Sequence, residues 1–417
     1  MAVIPDQGLC ERPDPTRRRL LAGGAVLAVW PFVPRFAQAA GGRDPRMVTI
    51  ILRGALDGLS AVAPLGDPDY AALRQGIALG LDGPNPAFAL DGFFALHPAM
   101  PTFARLYRYN QALVVHATAT PYRERSHFDG QDVLESGQPG PGLVASGWMN
   151  RALGALPTGD RVAARGGIGI GAVTPLVMRG ETPVLGWTPP SLPKAGDDLA
   201  ARVLDLYRHA DPALGEILGR GLGSDRIARD SGLSGDAAKA RGGSATAEGM
   251  KAAAAGAARL IAADDGPRLA AMAFDGWDTH ANEGGATGRL AQLLGGLDGA
   301  IAAFEAGLGD KWRDTVLLVL TEFGRTARVN GTVGTDHGTA TVALLAGGAV
   351  KGGRILADWP GLRPETLHQE RDLKPTTDLR AVIKGVMAEH LGLSAGVLGA
   401  TVFPDSAAVK PLSGLIA

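Results

Sequence analysis

Short, nearly continuous apolar runs recur along this chain and are separated by longer stretches with helical spacing. Met47 to Leu52, Ala112 to Ala117, Arg268 to Phe274, Thr315 to Thr321 and Val342 to Ala346 are short and aliphatic, and they predict buried strands. Between them, Met100 to Tyr109, Gly288 to Leu308 and Leu379 to Leu391 predict helices. A strand that is apolar at every position must be covered on both faces. The alternation therefore predicts an α/β fold, a doubly wound and mostly parallel sheet. From about Ser191 to Asp265 strand signals vanish and the text becomes polar, Ala-rich and helical, which predicts a helical insertion. Within it, Gly232 to Gly249 reads either as part of that insertion or as a disordered linker.

Composition narrows the classes of partner. The 417 residues are 46% apolar, enough for a large folded domain, and 41 basic against 42 acidic residues give a formal charge of -1. That balance lacks the basic footprint that phosphate-backbone binding requires, so nucleic acid is not an expected partner.

The first 39 residues predict a twin-arginine signal peptide. Arg17, Arg18 and Arg19 stand directly before the apolar run Leu20 to Val33, and Ala37-Gln38-Ala39 follows as a small-x-small cleavage site. The run is interrupted by Gly23-Gly24 and Pro31 and is shorter than the roughly 20 residues that span a bilayer. The reading is therefore periplasmic or secreted protein, engaged by the twin-arginine translocase during export, without a stable membrane anchor. Cys10, the single cysteine, lies in this segment, so the mature chain would hold neither a disulfide nor a thiolate-ligated metal.

Acidic and histidine residues cluster where the predicted strands end, the edge at which open parallel sheets bind ligands. Asp57 follows the first strand, Asp278 and His280 follow Arg268 to Phe274, Glu322 follows Thr315 to Thr321, and Asp336-His337 precede the last strand. Carboxylates with neutral imidazoles suit zinc, manganese or related divalent ions. The six residues are enough for one such ion or two. Asp275, directly before Gly276, reads equally as a seventh ligand or a turn former.

The strand Ala112 to Ala117 leads into Tyr122-Arg123-Glu124-Arg125-Ser126-His127, with Ser126 where a helix begins. Two readings of Ser126 stand: a nucleophile with Arg123 or Arg125 holding anionic oxygens, or a plain N-cap. His127 reaches the metal or only borders the site. His116, inside a strand, reads as a core histidine, and Gly166 to Gly171 as a tight turn or a Gly-rich strand.

Five motifs together resemble the bacterial family called domain of unknown function 1501, over roughly residues 46 to 405. They are Arg-Gly-x-x-Asp-Gly-Leu at 53 to 59, Ser-His-Phe at 126 to 128, Asp-x-Trp-Asp-Thr-His at 275 to 280, Thr-Glu-Phe-Gly-Arg-Thr at 321 to 326 and Gly-Thr-Asp-His-Gly at 334 to 338. The resemblance implies twin-arginine export and an alkaline phosphatase- and sulfatase-like fold. It also implies a metal-bound aspartate after the first strand, matched by Asp57, and a nucleophile after the second, matched by Ser126. The chain departs from alkaline phosphatases in carrying Glu322-Phe323 where an Asp-His pair is usual, and it lacks the motif that matures into formylglycine in sulfatases.

The expected activity is hydrolysis of an anionic phosphate or sulfate ester, with Ser126 as nucleophile, Arg125 and Arg325 binding the transferred group, and one or two divalent ions. The alternative is an exported binding or assembly protein that keeps the fold without turnover, to which the missing Asp-His pair points.

Overall fold

The strands form because their residues can be buried on both sides. In β1 (Arg46–Leu52) all seven positions are buried: Val48, Ile50 and Leu52 face one core, while Met47 and Ile51 face another. The computed structural model describes residues 43–157, 161–171, 173–188 and 245–417, together with 204, 215, 216 and 218–220. The expected signal peptide lies outside the described residues, as does most of the expected insertion at 191–265.

The other strands of the main sheet are β2 (Ala112–Ala119), β3 (Gly167–Ile170), β4 (Leu185–Trp187), β5 (Leu269–Phe274), β6 (Thr315–Thr321), β7 (Thr341–Ala346), β8 (Arg354–Leu356) and β9 (Thr377–Asp378). They form one nine-stranded sheet in the order β8-β2-β7-β6-β1-β5-β3-β4, with β9 also paired to β2. A three-stranded sheet of two-residue strands at Val62–Ala63, Phe88–Ala89 and Ala95–Leu96 accompanies it. Gly166 to Gly171 is thus a Gly-rich strand with its flanks.

Among the described residues the longer helices are α1 (Pro101–Arg108), α2 (His127–Ser136), α3 (Trp148–Ala155), α4 (Ala247–Ala262), α5 (Arg289–Leu308) and α6 (Leu379–Leu391), with shorter helices and turns between. Side chains of α1, α4 and α5, among them Phe103, Met250 and Leu297, fill the core on the Val48–Ile50 face. Those of α3 and α6, among them Met149, Val382 and Met387, fill the core on the Met47–Ile51 face. Local signals delimit them: Thr246 caps α4 through the Gly249 N–H at 3.1 Å, and Asp378 caps α6, which ends at Gly392 with φ 74°. Asp298 of α5 accepts the first N–H groups of α1, from Thr102 at 2.9 Å and Phe103 at 2.8 Å.

The sheet is mainly parallel, but β7 runs antiparallel to both β2 and β6. The reason is the connection: residues 322–340 join β6 to β7 as a loop with no crossover helix, so the chain returns beside the strand it left. This reversal matters for the site. In register, Leu52 of β1 is level with Phe274 of β5 and Thr321 of β6, so three loops leave the sheet side by side. Because β7 is reversed, the residues that precede it arrive at that same edge.

Among the described residues no helix is long and apolar enough to cross a membrane.

Candidate metal centre

Four side chains meet beyond the carboxyl ends of β5 and β2 and the amino end of β7. Asp278 Oδ1 lies 3.0 Å from His280 Nε2, 3.3 Å from His337 Nε2 and 3.5 Å from His127 Nε2. The Nε2 atoms of His280 and His337 are 3.0 Å apart. The four ligand atoms come from three segments: the loop after β5, the loop before β7, and the start of α2.

Each imidazole is held by its other nitrogen. His127 Nδ1 is 2.8 Å from Glu322 Oε1, His280 Nδ1 is 3.2 Å from Asp336 Oδ1, and His337 Nδ1 is 2.9 Å from the Arg125 carbonyl. An acceptor on Nδ1 fixes the tautomer and leaves Nε2 with its lone pair inward, the usual support of a metal-bound histidine. Rings pack as well: His127 stacks on Phe323 at 5.0 Å between centroids and meets His337 edge-on at 4.3 Å.

The donor set fits a divalent ion. Among the described residues, the buried His127 Nε2 has no hydrogen-bond partner. Nitrogen and oxygen ligands at about 2.0–2.1 Å from a tetrahedral zinc stand roughly 3.3 Å from each other; the separations of Asp278 Oδ1 from the three Nε2 atoms, and that between His280 and His337, run from 3.0 to 3.5 Å. His127, Asp278 and His337 together can hold an ion, and His280 Nε2 adjoins two of them, 3.0 Å from both Asp278 Oδ1 and His337 Nε2.

Charges around the cluster are arranged by burial and by Arg325. Burial pushes the Asp278 carboxyl up, but the hydrogen bond and charge of Arg325, with His280 and His127, outweigh it and hold the group below the usual carboxylate range. Arg325 is buried; its Nη1 donates to Asp278 Oδ1 at 2.8 Å, and its Nη2 donates to the Thr335 carbonyl at 2.7 Å. His127 is raised, first by its hydrogen bond with Glu322, while burial and the charge of His127 lower His337.

Close backbone approach is built in at Gly54. Its φ of 119° favours glycine, a Cβ there would stand 2.5 Å from the Asp278 amide nitrogen, and its own N–H donates to Glu322 at 2.8 Å. Arg125 adopts a positive φ of 61°, which non-glycine residues seldom take, and its carbonyl is the acceptor for His337.

The structure gathers Asp278, His280 and His337 of the expected ligands at one point and puts the others to different uses. Asp336 and Glu322 hold His280 and His127 from behind. Asp57 stands outside the cluster: its Oδ1 accepts the Leu59 and Ser60 N–H groups at 3.0 and 3.1 Å, and its Oδ2 pairs with the buried Arg74. A buried carboxylate needs a countercharge, and Arg74 supplies it. Asp275 is exposed beside Gly276, whose φ is 98°.

Of the residues expected to act on substrate, the Arg125 guanidinium is turned onto Asp372, at 2.9 and 2.7 Å, and Gln369 at 2.7 Å. Arg325 is committed to Asp278 and Thr335. Ser126 occupies the N-cap of α2, yet its side chain makes no capping hydrogen bond. Of the two sequence alternatives for His127, reaching the metal or bordering the site, the structure places its Nε2 in the cluster, 3.5 Å from Asp278 Oδ1. Arg74 and Glu283 carried no sequence signal. His116 is a core histidine, bonded to the Val62 carbonyl at 3.0 Å and pushed down to about 4 by burial.

A mixed α/β sheet, mainly parallel, with a histidine–aspartate cluster at its carboxyl edge defines the class of protein. The chain belongs to the family described as Protein of unknown function (DUF1501), which matches residues 94–402. No curated protein matches it. Among solved structures it is similar to the phosphonate monoester hydrolase of Agrobacterium radiobacter, at 11% identity over 84% of this chain and 74% of that one. The TM-score of 0.33 is too low for that likeness to carry an argument.

Proposed function

We propose that the chain is an exported, metal-dependent hydrolase of phosphate or sulfate esters on an alkaline phosphatase-like fold. One observation carries the reading: three imidazole nitrogens and Asp278 Oδ1 converge while the opposite nitrogen of every ring is already held. The convergent ligands serve one ion, because Asp57 is neutralised by Arg74 and Glu322 is engaged by His127 and Gly54.

A divalent ion such as zinc or manganese, bound there, supplies a Lewis acid for an ester oxygen. The chain's own residues supply the rest. Ser126 precedes His127 at the start of the ten-residue helix α2, where free N–H groups and the helix dipole favour an anionic group, and its hydroxyl is not spent on capping. Arg325 acts through Asp278, fixing the carboxylate. The segment at 1–39 directs export through the twin-arginine route.

A second reading, a non-catalytic exported metal-binding protein, draws support from the arginines: Arg125 and Arg325 are both paired with protein carboxylates. Elemental analysis of the purified chain, followed by assays on aryl phosphates, phosphodiesters and aryl sulfates, separates the two. The hydrolase reading expects a bound divalent ion and turnover, both lost in Asp278→Asn. An ion without turnover on any of these esters favours the binding protein, and a metal-free chain whose melting ignores chelator overturns both.

A further inference from the structure

Behind the histidine cluster lies a second, fully buried polar group whose centre is Glu283. Its Oε2 accepts the Thr279 hydroxyl at 3.0 Å and the Thr335 hydroxyl at 2.7 Å, and its Oε1 accepts the Ser60 hydroxyl at 3.1 Å. Glu283 itself is 0% exposed. These donors are not scattered. Thr279 stands between Asp278 and His280, Thr335 directly precedes Asp336-His337, and Ser60 belongs to the segment after β1.

We infer that Glu283 is a positioning residue that holds the two ligand-bearing loops in register, so that the cluster's geometry depends on a side chain touching none of the four ligands. The inference rests on the metal reading above. The loop after β5 and the loop before β7 meet along a seam: the Thr335 N–H donates to the Thr279 carbonyl at 3.1 Å, and Asn330 Nδ2 donates to the His280 carbonyl at 2.9 Å. Glu283 closes that seam from inside with one oxygen shared by a hydroxyl from each loop. It also orients the Thr335 hydroxyl, which accepts from Arg325 Nε at 3.2 Å, while Arg325 in turn holds Asp278.

The physical case for a tie is the expense of keeping a carboxyl in the core. A buried acid is retained only where its lone pairs are used. Three hydroxyl donors use them, and Arg74 stands 3.7 Å from Oε1 while pairing with Asp57. An apolar residue of similar volume would fill the space without the desolvation penalty, but it would leave Thr279 and Thr335 without a common acceptor.

The test uses the full chain and three variants, Glu283→Ala, Glu283→Gln and Thr279→Val, with zinc alone as the probe. Zinc affinity is read by competition with a chromophoric chelator, and amide hydrogen exchange is read over 278–280 and 334–337 in metal-free protein. Glu283→Ala should bind zinc roughly 10- to 100-fold more weakly, the usual penalty for losing an outer support, and exchange faster in both segments. Glu283→Gln should stay near the unsubstituted chain, since its amide oxygen still accepts both threonines. Thr279→Val removes one hydroxyl at constant volume, and its affinity should fall between the two; it decides the matter if Glu283→Ala does not fold. Unchanged zinc affinity and exchange in Glu283→Ala or Thr279→Val overturn the inference, as does a Gln variant as impaired as Ala. If the unsubstituted chain binds no zinc, the metal reading fails, while faster exchange confined to those two segments still upholds the tie and unchanged exchange refutes it.

Discussion

His280 and His337, 57 positions apart in the chain, bring their Nε2 atoms to 3.0 Å. Two imidazole nitrogens at that distance repel if both carry protons or both present lone pairs, so the contact needs either one shared proton or a cation that accepts both. With Nδ1 of each ring held by Asp336 and the Arg125 carbonyl, the second arrangement satisfies both rings at once.

Zinc should therefore raise the melting temperature of the chain. At a hundred-fold excess over Kd the gain is about 2.7 kcal/mol, provided zinc binds only the folded state. His337→Ala removes one converging donor and should abolish most of the gain. A zinc-independent melt in the unsubstituted chain would count against the centre.

Ser126→Ala separates chemistry from architecture. The side chain makes no capping hydrogen bond, so its loss should move stability by no more than about 0.5 kcal/mol, as for a surface change away from special features. Turnover should fall by several orders of magnitude while zinc content holds. Ester hydrolysis that survives the substitution removes Ser126 as nucleophile.

Gly54→Ala should damage the site from a position that bears no ligand. The new Cβ would meet the Asp278 amide nitrogen at 2.5 Å and the Trp277 carbonyl carbon at 2.9 Å, and neither is the far end of a flexible side chain. With the left-handed φ added, a loss of about 1–3 kcal/mol is expected, together with weaker zinc binding as Asp278 is displaced. Thermal melts and zinc titration read both, and a variant unaffected in either would contradict the contact.

Stability should depend on pH through two buried groups of opposite sign. Burial, then the Asp57 charge, raises Glu283 to about 8. The folded chain keeps that proton where the unfolded chain has released it, so the contribution is present at low pH and fades as pH rises toward about 8. His116, pushed down to about 4, resists protonation when folded, so its contribution is present above about 6.5 and is lost as pH falls to about 4. Their slopes oppose each other below about pH 6.5; above it that of Glu283 continues, in the same sense as that of His127, which is also raised. Glu283→Gln should therefore flatten the fall in melting temperature between about pH 6.5 and 8. Parallel melting profiles for the two proteins would show that Glu283 does not titrate there.

Replacing Arg17 and Arg18 together with Lys should leave uncleaved protein in the cytoplasm, because the translocase reads the arginine pair. Fractionation and immunoblotting check it, and mature protein in the periplasm would refute the route.

The chain's local text specified five strands of the main sheet and three of its helices, while short strands such as Leu185–Trp187 and Arg354–Leu356 carried no such signal. Thr315–Thr321 and Leu379–Leu391 have the bounds that hydrophobic patterning predicts, because a strand buried on both faces and a helix with a capping aspartate each announce themselves within a few residues. Asp278, His280, Asp336 and His337 were legible as candidates because residues at strand ends gather at one edge of a sheet. Their division into ligands and supports was not.

An aspartate after a strand reads alike whether a metal or an arginine neutralises it, and only the fold brought Arg74 to Asp57. Glu283 has no motif, since what it does is accept hydroxyls from residues distant in sequence such as Ser60 and Thr335. The direction of β7 was decided in the same way. Its apolar run is identical for either direction, and the helix-free loop of residues 322–340 turned it antiparallel and delivered His337 to the edge where Asp278 waits. Sequence determines which segments must be buried and which residues can do chemistry, because those are properties of short stretches. Tertiary structure alone decides which charge meets which, because partners are set by distance through space, and electrostatic and coordination energies change steeply within a few ångströms.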